Sequence, residues 1–281
     1  MQVIAIGGPE GVHPAVHRTD RALGAVVDAV AELPADDVVL ATRDEQARKV
    51  ARAARLVLGA ERVGVLHVDA PCTAWAVMLA GISASGLTAS SARAVADEVL
   101  ARTTTRALVS SVASLHRPAP TFRQHAGSYL PGTAFVVDVG RGTVSRFRGS
   151  FGVPDGGDTL VVARSARPVV RVEDGELLPR TPDTQLTGVG DGWPAARWLE
   201  ASTIDGSLGA AVTTALSRSY LWGACDACGR AVTAACIFCD IGERRPRAVR
   251  TDRGDLSRAG RPAIQPDTLP DTQPDPQGAI S

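Results

Sequence analysis

Short unbroken apolar runs alternate with segments of helical period in the first part of the chain. Val3 to Ile6 is one such run and ends in Gly7-Gly8-Pro9, the pattern of a buried strand and its turn. Asp37 to Thr42 and Arg62 to Asp69 repeat the pattern. In the third run Val63, Val65, Leu66 and Val68 suggest burial on both faces. His13 to Leu33 reads as helical. Arg43 to Leu58 carries Val50, Ala54 and Val57 at helical spacing, with Gly59 as a stop. A helix from about Thr73 and a longer one from Ser90 to His116 follow. Apolar strands separated by helices predict parallel pairing, so the fold class is α/β with a Rossmann-like open parallel sheet.

The pattern then changes. Arg117 to Gly132 contains Pro and Gly and reads as a connection. Ala134 to Val139 and Thr143 to Phe147 read as strands of a hairpin turning at Gly140-Arg141-Gly142. Thr159 to Ala163 and Val169 to Val172 continue in β style. These strands either extend the first sheet or form a second domain. Trp193 to Ala201 and Leu208 to Leu221 read as helices, the second leading into a cysteine cluster. The expected organisation is an α/β region over 1–116, a β-rich region over 117–192, and helices with a zinc knuckle over 193–243. An Arg-rich linker and a Pro/Asp tail, expected to be disordered from about Gln265, fill 244–281.

Composition narrows the chemistry. The 281 residues are 44% hydrophobic but only 4% aromatic, so the core must be built mainly from Ala, Val and Leu. Lys+Arg and Asp+Glu number 30 each, which removes any argument from bulk charge for nucleic-acid or membrane attraction. Lys49 is the only lysine, and its Ala-Arg-Lys-Val context excludes a Walker A loop. The apolar stretch Ala74 to Ile82 is far short of the ~20 residues a membrane span needs. Met1 to Ile6 lacks the basic start of a signal peptide, so the expected location is cytoplasmic. There, five cysteines are ligands or free thiols rather than disulfides.

Cys225, Cys228, Cys236 and Cys239 form CxxC-x7-CxxC. Two such turns present four thiolates, which suits tetrahedral Zn²⁺, with an iron–sulfur cluster or redox thiols as alternatives. Gly229 follows the first pair, where a metal loop needs positive φ. Loss of any one cysteine is expected to loosen the C-terminal region and leave the N-terminal sheet folded. The cluster resembles the C-terminal zinc knuckles of tRNA-thiolating ATP pyrophosphatases, which read CxxCG then CxxC. Their Ser-Gly-Gly-x-Asp-Ser signature is replaced here by Ile6-Gly7-Gly8-Pro9-Glu10-Gly11.

Ligands of open α/β sheets bind where strands end. Gly7, Gly8 and His13 follow the first strand, Thr42 and Arg43 the second, and Asp69 and Thr73 the third. These seven are the candidate ligand-binding residues; helix capping explains several of the same residue types. Asp37-Val38-Val39-Leu40-Ala41-Thr42-Arg43 resembles the second strand of CARF-type Rossmann sensors, which implies cyclic oligoadenylate binding at the strand ends. His67, Asp69 and Cys72 also lie close in sequence, as either a nucleophile or a satisfied buried group. The expected function is a zinc-containing, nucleotide- or nucleic-acid-binding regulatory protein without membrane contact. The alternative is an enzyme acting on a nucleotide or phosphorylated substrate at the strand ends.

Overall fold

The computed structural model describes residues 1–59, 61–84, 86–154, 157–170, 174–189, 192–232 and 236–239. The Arg-rich linker and the Pro/Asp tail lie outside the described residues. Strands β1 (Gln2–Ile6), β2 (Val16–Thr19), β3 (Val38–Thr42) and β4 (Val63–His67) form a parallel sheet in the order β2-β1-β3-β4. Alternation splits the side chains between two layers. Ile4, Ile6, Val38, Leu40 and Val63 pack on α1 (Leu23–Ala31) and α2 (Glu45–Leu58). Asp44 caps α2 by accepting from the Ala47 amide at 2.8 Å, and Gly59 ends it at φ +93°.

Val3, Ala5, Val39, Ala41 and Leu66 face the other way, onto α3 (Cys72–Ile82). α3 is apolar all round because it is covered on every side. With α4 (Ala92–Arg102) and α7 (Leu208–Ser217) it forms a middle layer between the first sheet and a second one. The second sheet comprises β5 (Thr103–Val109), β6 (Phe135–Asp138), β7 (Thr143–Arg146), β8 (Leu160–Arg164), β9 (Thr184–Leu186) and β10 (Trp198–Ile204). Their order is β7-β6-β5-β10-β8-β9, antiparallel except for β8 with β9. Its outer face is covered by Phe151, Val153, Leu177 and Leu178. Short helices α5 (Phe122–Gly127) and α6 (Asp174–Leu177) lie in its connections, and β11 (Gly223–Ala224) pairs with β12 (Ala231–Val232). The class is α/β, with an open parallel sheet and a separate β-rich sheet.

Four local expectations change. The helix expected over His13 to Leu33 is β2 followed by α1. The long helix expected from Ser90 to His116 stops at Arg102, where Thr103-Thr104-Thr105 begin β5. β-branched side chains favour a pleated surface over a helix. Trp193 to Ala201 is not helical; β10 begins at Trp198 and is buried along its whole length between β5 and β8. A central strand buried on both faces shows no period-two alternation to read. Val169 and Val170 belong to no strand, and Val172 lies outside the described residues. Among the described residues no helix is long and apolar enough to cross a membrane.

Candidate functional site

Parallel strands deliver Gly7, Gly8, Thr42, Arg43 and Asp69 to one edge of the first sheet. His13 is not brought there; it precedes β2, whose first residue pairs with Val3 at the start of β1. Gly7 and Gly8 take φ +67° and +87°. A Cβ at Gly8 would stand 2.9 Å from the Trp75 ring, and one at Gly7 2.8 Å from the Arg21 guanidinium. The Trp75 ring and the Arg21 guanidinium therefore stand beside the two glycines. Thr42 is buried, with its Oγ1 3.1 Å from His67 Nδ1. Asp69 is exposed.

Thr73 is fully buried at the start of α3 and faces the second sheet, not the strand exits. Its amide and its Oγ1 each donate to Glu200 Oε1 at 2.6 Å. Cys72 Sγ donates to the same oxygen at 3.2 Å, and Trp193 Nε1 donates to Oε2 at 2.6 Å. Ser202 Oγ lies 2.6 Å from Thr73 Oγ1 and 2.7 Å from Thr105 Oγ1. Thr73 spends its proton on the carboxylate, so the hydroxyls donate in the order Thr105, Ser202, Thr73, Glu200. A helix N-terminus attracts an anion, and here the chain supplies one from β10. Burial pushes the Cys72 thiol far up from its ordinary value; the nearby Glu200 charge and hydrogen bond add to this, and Arg43 opposes it. Cys72 is thus packed as a buried thiol that donates to Glu200.

The four cysteines of the CxxC pairs converge, with their sulfurs within 4.8 Å of one another and Cys228 Sγ 3.6 Å from Cys236 Sγ. They can hold a metal ion. Gly229 at φ +70° lets its amide reach the Cys225 carbonyl at 2.7 Å, closing the first turn. The Cys228 and Ala227 amides point at the Cys225 sulfur and lower its pKa to about 7. Desolvation pushes Cys239 up to about 12, so the set carries both an easily ionised and a reluctant thiol. A bound cation stabilises the thiolate form of all four.

A cavity of about 570 Å³ opens where β8 and β9 end and β10 begins. Leu108, Val170, Leu177, Leu186, Trp198 and Leu199 supply its apolar walls, with Arg164 and Ser165 at the rim. With its oxygen turned toward Arg164, the Gln185 amide accepts from Nη2 at 3.1 Å and Nε at 3.2 Å. An adjoining cleft of about 580 Å³ shares Val169 and Val170 and adds Arg167 and Arg197. No acidic side chain among the described residues lines either space. Sequence reasoning missed this site. Its one signal was Arg164-Ser-Ala-Arg167-Pro168 leading into Val169-Val170.

No protein-family model and no curated protein matches the chain. Solved structures do. A DegV family protein from Eubacterium eligens, loaded with heptadecanoic acid, is 10% identical with a TM-score of 0.48, over 73% of this chain and 99% of that one. A DegV family protein from Thermus thermophilus, described for its fatty-acid binding, is 12% identical with a TM-score of 0.49, again over 73% and 99%. The dihydroxyacetone kinase of C. freundii is 15% identical with a TM-score of 0.44, over 94% of this chain and 57% of that one.

The expected zinc-containing nucleotide- or nucleic-acid-binding regulator is corrected by these findings. The DegV structures are described with fatty acids, and no family match supports the resemblance to tRNA-thiolating enzymes or to CARF sensors. The geometry gives the physical reason. The strand-end glycines face Trp75 and Arg21, and the anion at the start of α3 is the protein's own Glu200.

Proposed function

We propose that this protein binds a small amphipathic acid. Its apolar tail occupies the cavity walled by Val170, Leu177, Leu186 and Leu199, and its acid group meets Arg167 and Arg197 of the adjoining cleft. The observation that carries this reading is an apolar-walled cavity of about 570 Å³ whose described polar rim is cationic and lacks carboxylates. Ligand pockets fall in the range of roughly 300–1,000 Å³ and combine apolar walls with a few fixed polar groups. Each methylene buried contributes about 0.8 kcal/mol, and a charge-assisted bond to guanidinium sets the orientation. Titration with dodecanoate by calorimetry tests the reading. Saturable one-to-one binding is expected, weakened at least tenfold by Val170→Trp, which fills the cavity, and by Arg197→Ala. Equal affinity for dodecanol would remove the role of the arginines, and no binding of either would remove the reading.

The metal at the four cysteines is, in this reading, zinc in a structural role. Four thiolates in a closed tetrahedral set leave no open position for catalysis, and the 3.6 Å separation of two sulfurs is close to the edge of a tetrahedron with Zn–S bonds of about 2.3 Å. Five free cysteines fit a reducing compartment, so the reading takes the cytoplasm as the protein's location.

A further inference from the structure

The metal-binding loops do not stand apart from the parallel sheet; they cover its open edge. β4 is the last strand of that sheet, so alternate amides and carbonyls of β4 point away from β3. Val65 presents one such amide, and it donates to the Ile237 carbonyl at 2.7 Å. Ile237 lies between Cys236 and Cys239, inside the second CxxC turn. The buried Arg55 of α2 donates to the same carbonyl at 3.3 Å. Gly64 on β4 makes the approach possible: a Cβ there would stand 2.9 Å from Ile237 Cδ1 and 3.4 Å from the Phe238 ring.

A second hold comes from the first CxxC turn. Arg230, two residues past Cys228, pairs with both oxygens of Asp37 at 2.9 Å and donates to the Glu61 carbonyl. Asp37 immediately precedes β3 and Glu61 precedes β4. The Arg230 guanidinium also lies 3.9 Å above the Phe238 ring, which ties the two turns to each other. Phe238 is 1% exposed, and Cys225, Cys236 and Ile237 join the core that contains Leu66 and α3.

We propose that the four-cysteine centre is a metal-dependent staple that closes the β4 edge of the parallel sheet, with Arg230 and Asp37 as its positioning residues. This rests on the reading of the cysteines as a metal site. A turn of this size has almost no core of its own, so the metal fixes the conformation that presents the Ile237 carbonyl. Without the ion the carbonyl is released, and the outward amides of β4 are open to water or to another chain. Loss of a cysteine, expected from the sequence to loosen the C-terminal region while the N-terminal sheet stays folded, would on this proposal also open the β4 edge of that sheet.

The test is hydrogen exchange of the full chain, read beside metal analysis. Removing the metal with a chelator, or by Cys236→Ser, is expected to raise exchange in residues 63–67 at least tenfold while β10 keeps its protection. Arg230→Gln is expected to raise the same exchange by a smaller factor while the chain still carries one metal ion. Gly64→Val, with its cysteines intact, should do likewise by forcing Ile237 away. A chain that holds one metal but shows unchanged β4 exchange after its removal would overturn the staple and leave the metal reading standing. A chain that purifies without metal, and in which Arg230→Gln leaves β4 exchange unaltered, would overturn both.

Discussion

The two sheets meet the same middle layer of helices by different chemistry. The parallel sheet presents Val3, Ala5, Val39, Ala41 and Leu66 to α3, an apolar contact. The second sheet presents apolar side chains as well, but its central strand adds Glu200 and Ser202, buried against Thr73 and Cys72. One contact is stabilised by area and is tolerant in detail. The other depends on every buried donor finding its acceptor, because an unsatisfied buried polar group is costly. The difference shows why one half of an interface can be read from hydrophobic runs and the other cannot.

The largest expected effects fall on these two contacts. Leu66→Ala in the parallel sheet, buried against α3, should lower unfolding free energy by about 2–5 kcal/mol in urea denaturation. Glu200→Ala should cost about 3 kcal/mol, since it leaves the Thr73 amide, the Thr73 and Cys72 donors and Trp193 Nε1 without their acceptor. Glu200→Gln keeps the shape but turns one acceptor into a donor facing a donor, and should stay destabilised. If Glu200→Gln were as stable as the parent, the polar contact would not need the carboxylate, and the contrast between the sheets would fail.

A smaller effect sharpens the same contrast through pH. Burial first, then Glu200, raises the Cys72 thiol above its ordinary value of 9.0. The unfolded chain then loses this proton before the folded one does as pH rises. The stability that Cys72 contributes is therefore fully present below pH 9 and lost progressively above it. Cys72→Ala should reduce the alkaline loss of stability, measured as melting temperature from pH 8 to 10.5. An identical alkaline slope in the two proteins would show that the thiol is not held away from water.

Much of the parallel sheet was legible because its strands are apolar on both faces and its helices carry punctuation. Gly59 ends α2 where expected, and Gly140-Arg141-Gly142 joins a hairpin of the second sheet. The convergence of four cysteines was also legible, since two CxxC turns leave few other arrangements. β5 and β10 were not. Thr103 to Thr105 follow a helix without a turn residue, and Glu200 and Ser202 look like surface positions until Thr73, 127 and 129 residues away, is placed against them. The staple and the cavity were hidden for the same reason. Asp37 and Arg230 are 193 residues apart, and Arg164, Arg167 and Arg197 resemble ordinary solvated arginines until Val169, Val170 and Leu199 are folded beneath them.

Native mass spectrometry of the freshly purified full chain tests the central claim, that the cavity holds an amphipathic acid, most directly. The account predicts a population whose mass exceeds that of the metal-bound chain by one small ligand, released on activation as a carboxylate with an alkyl tail. The same population should be absent from Val170→Trp while the metal remains. A retained nucleotide, or a ligand of any class that survives Val170→Trp unchanged, would contradict it.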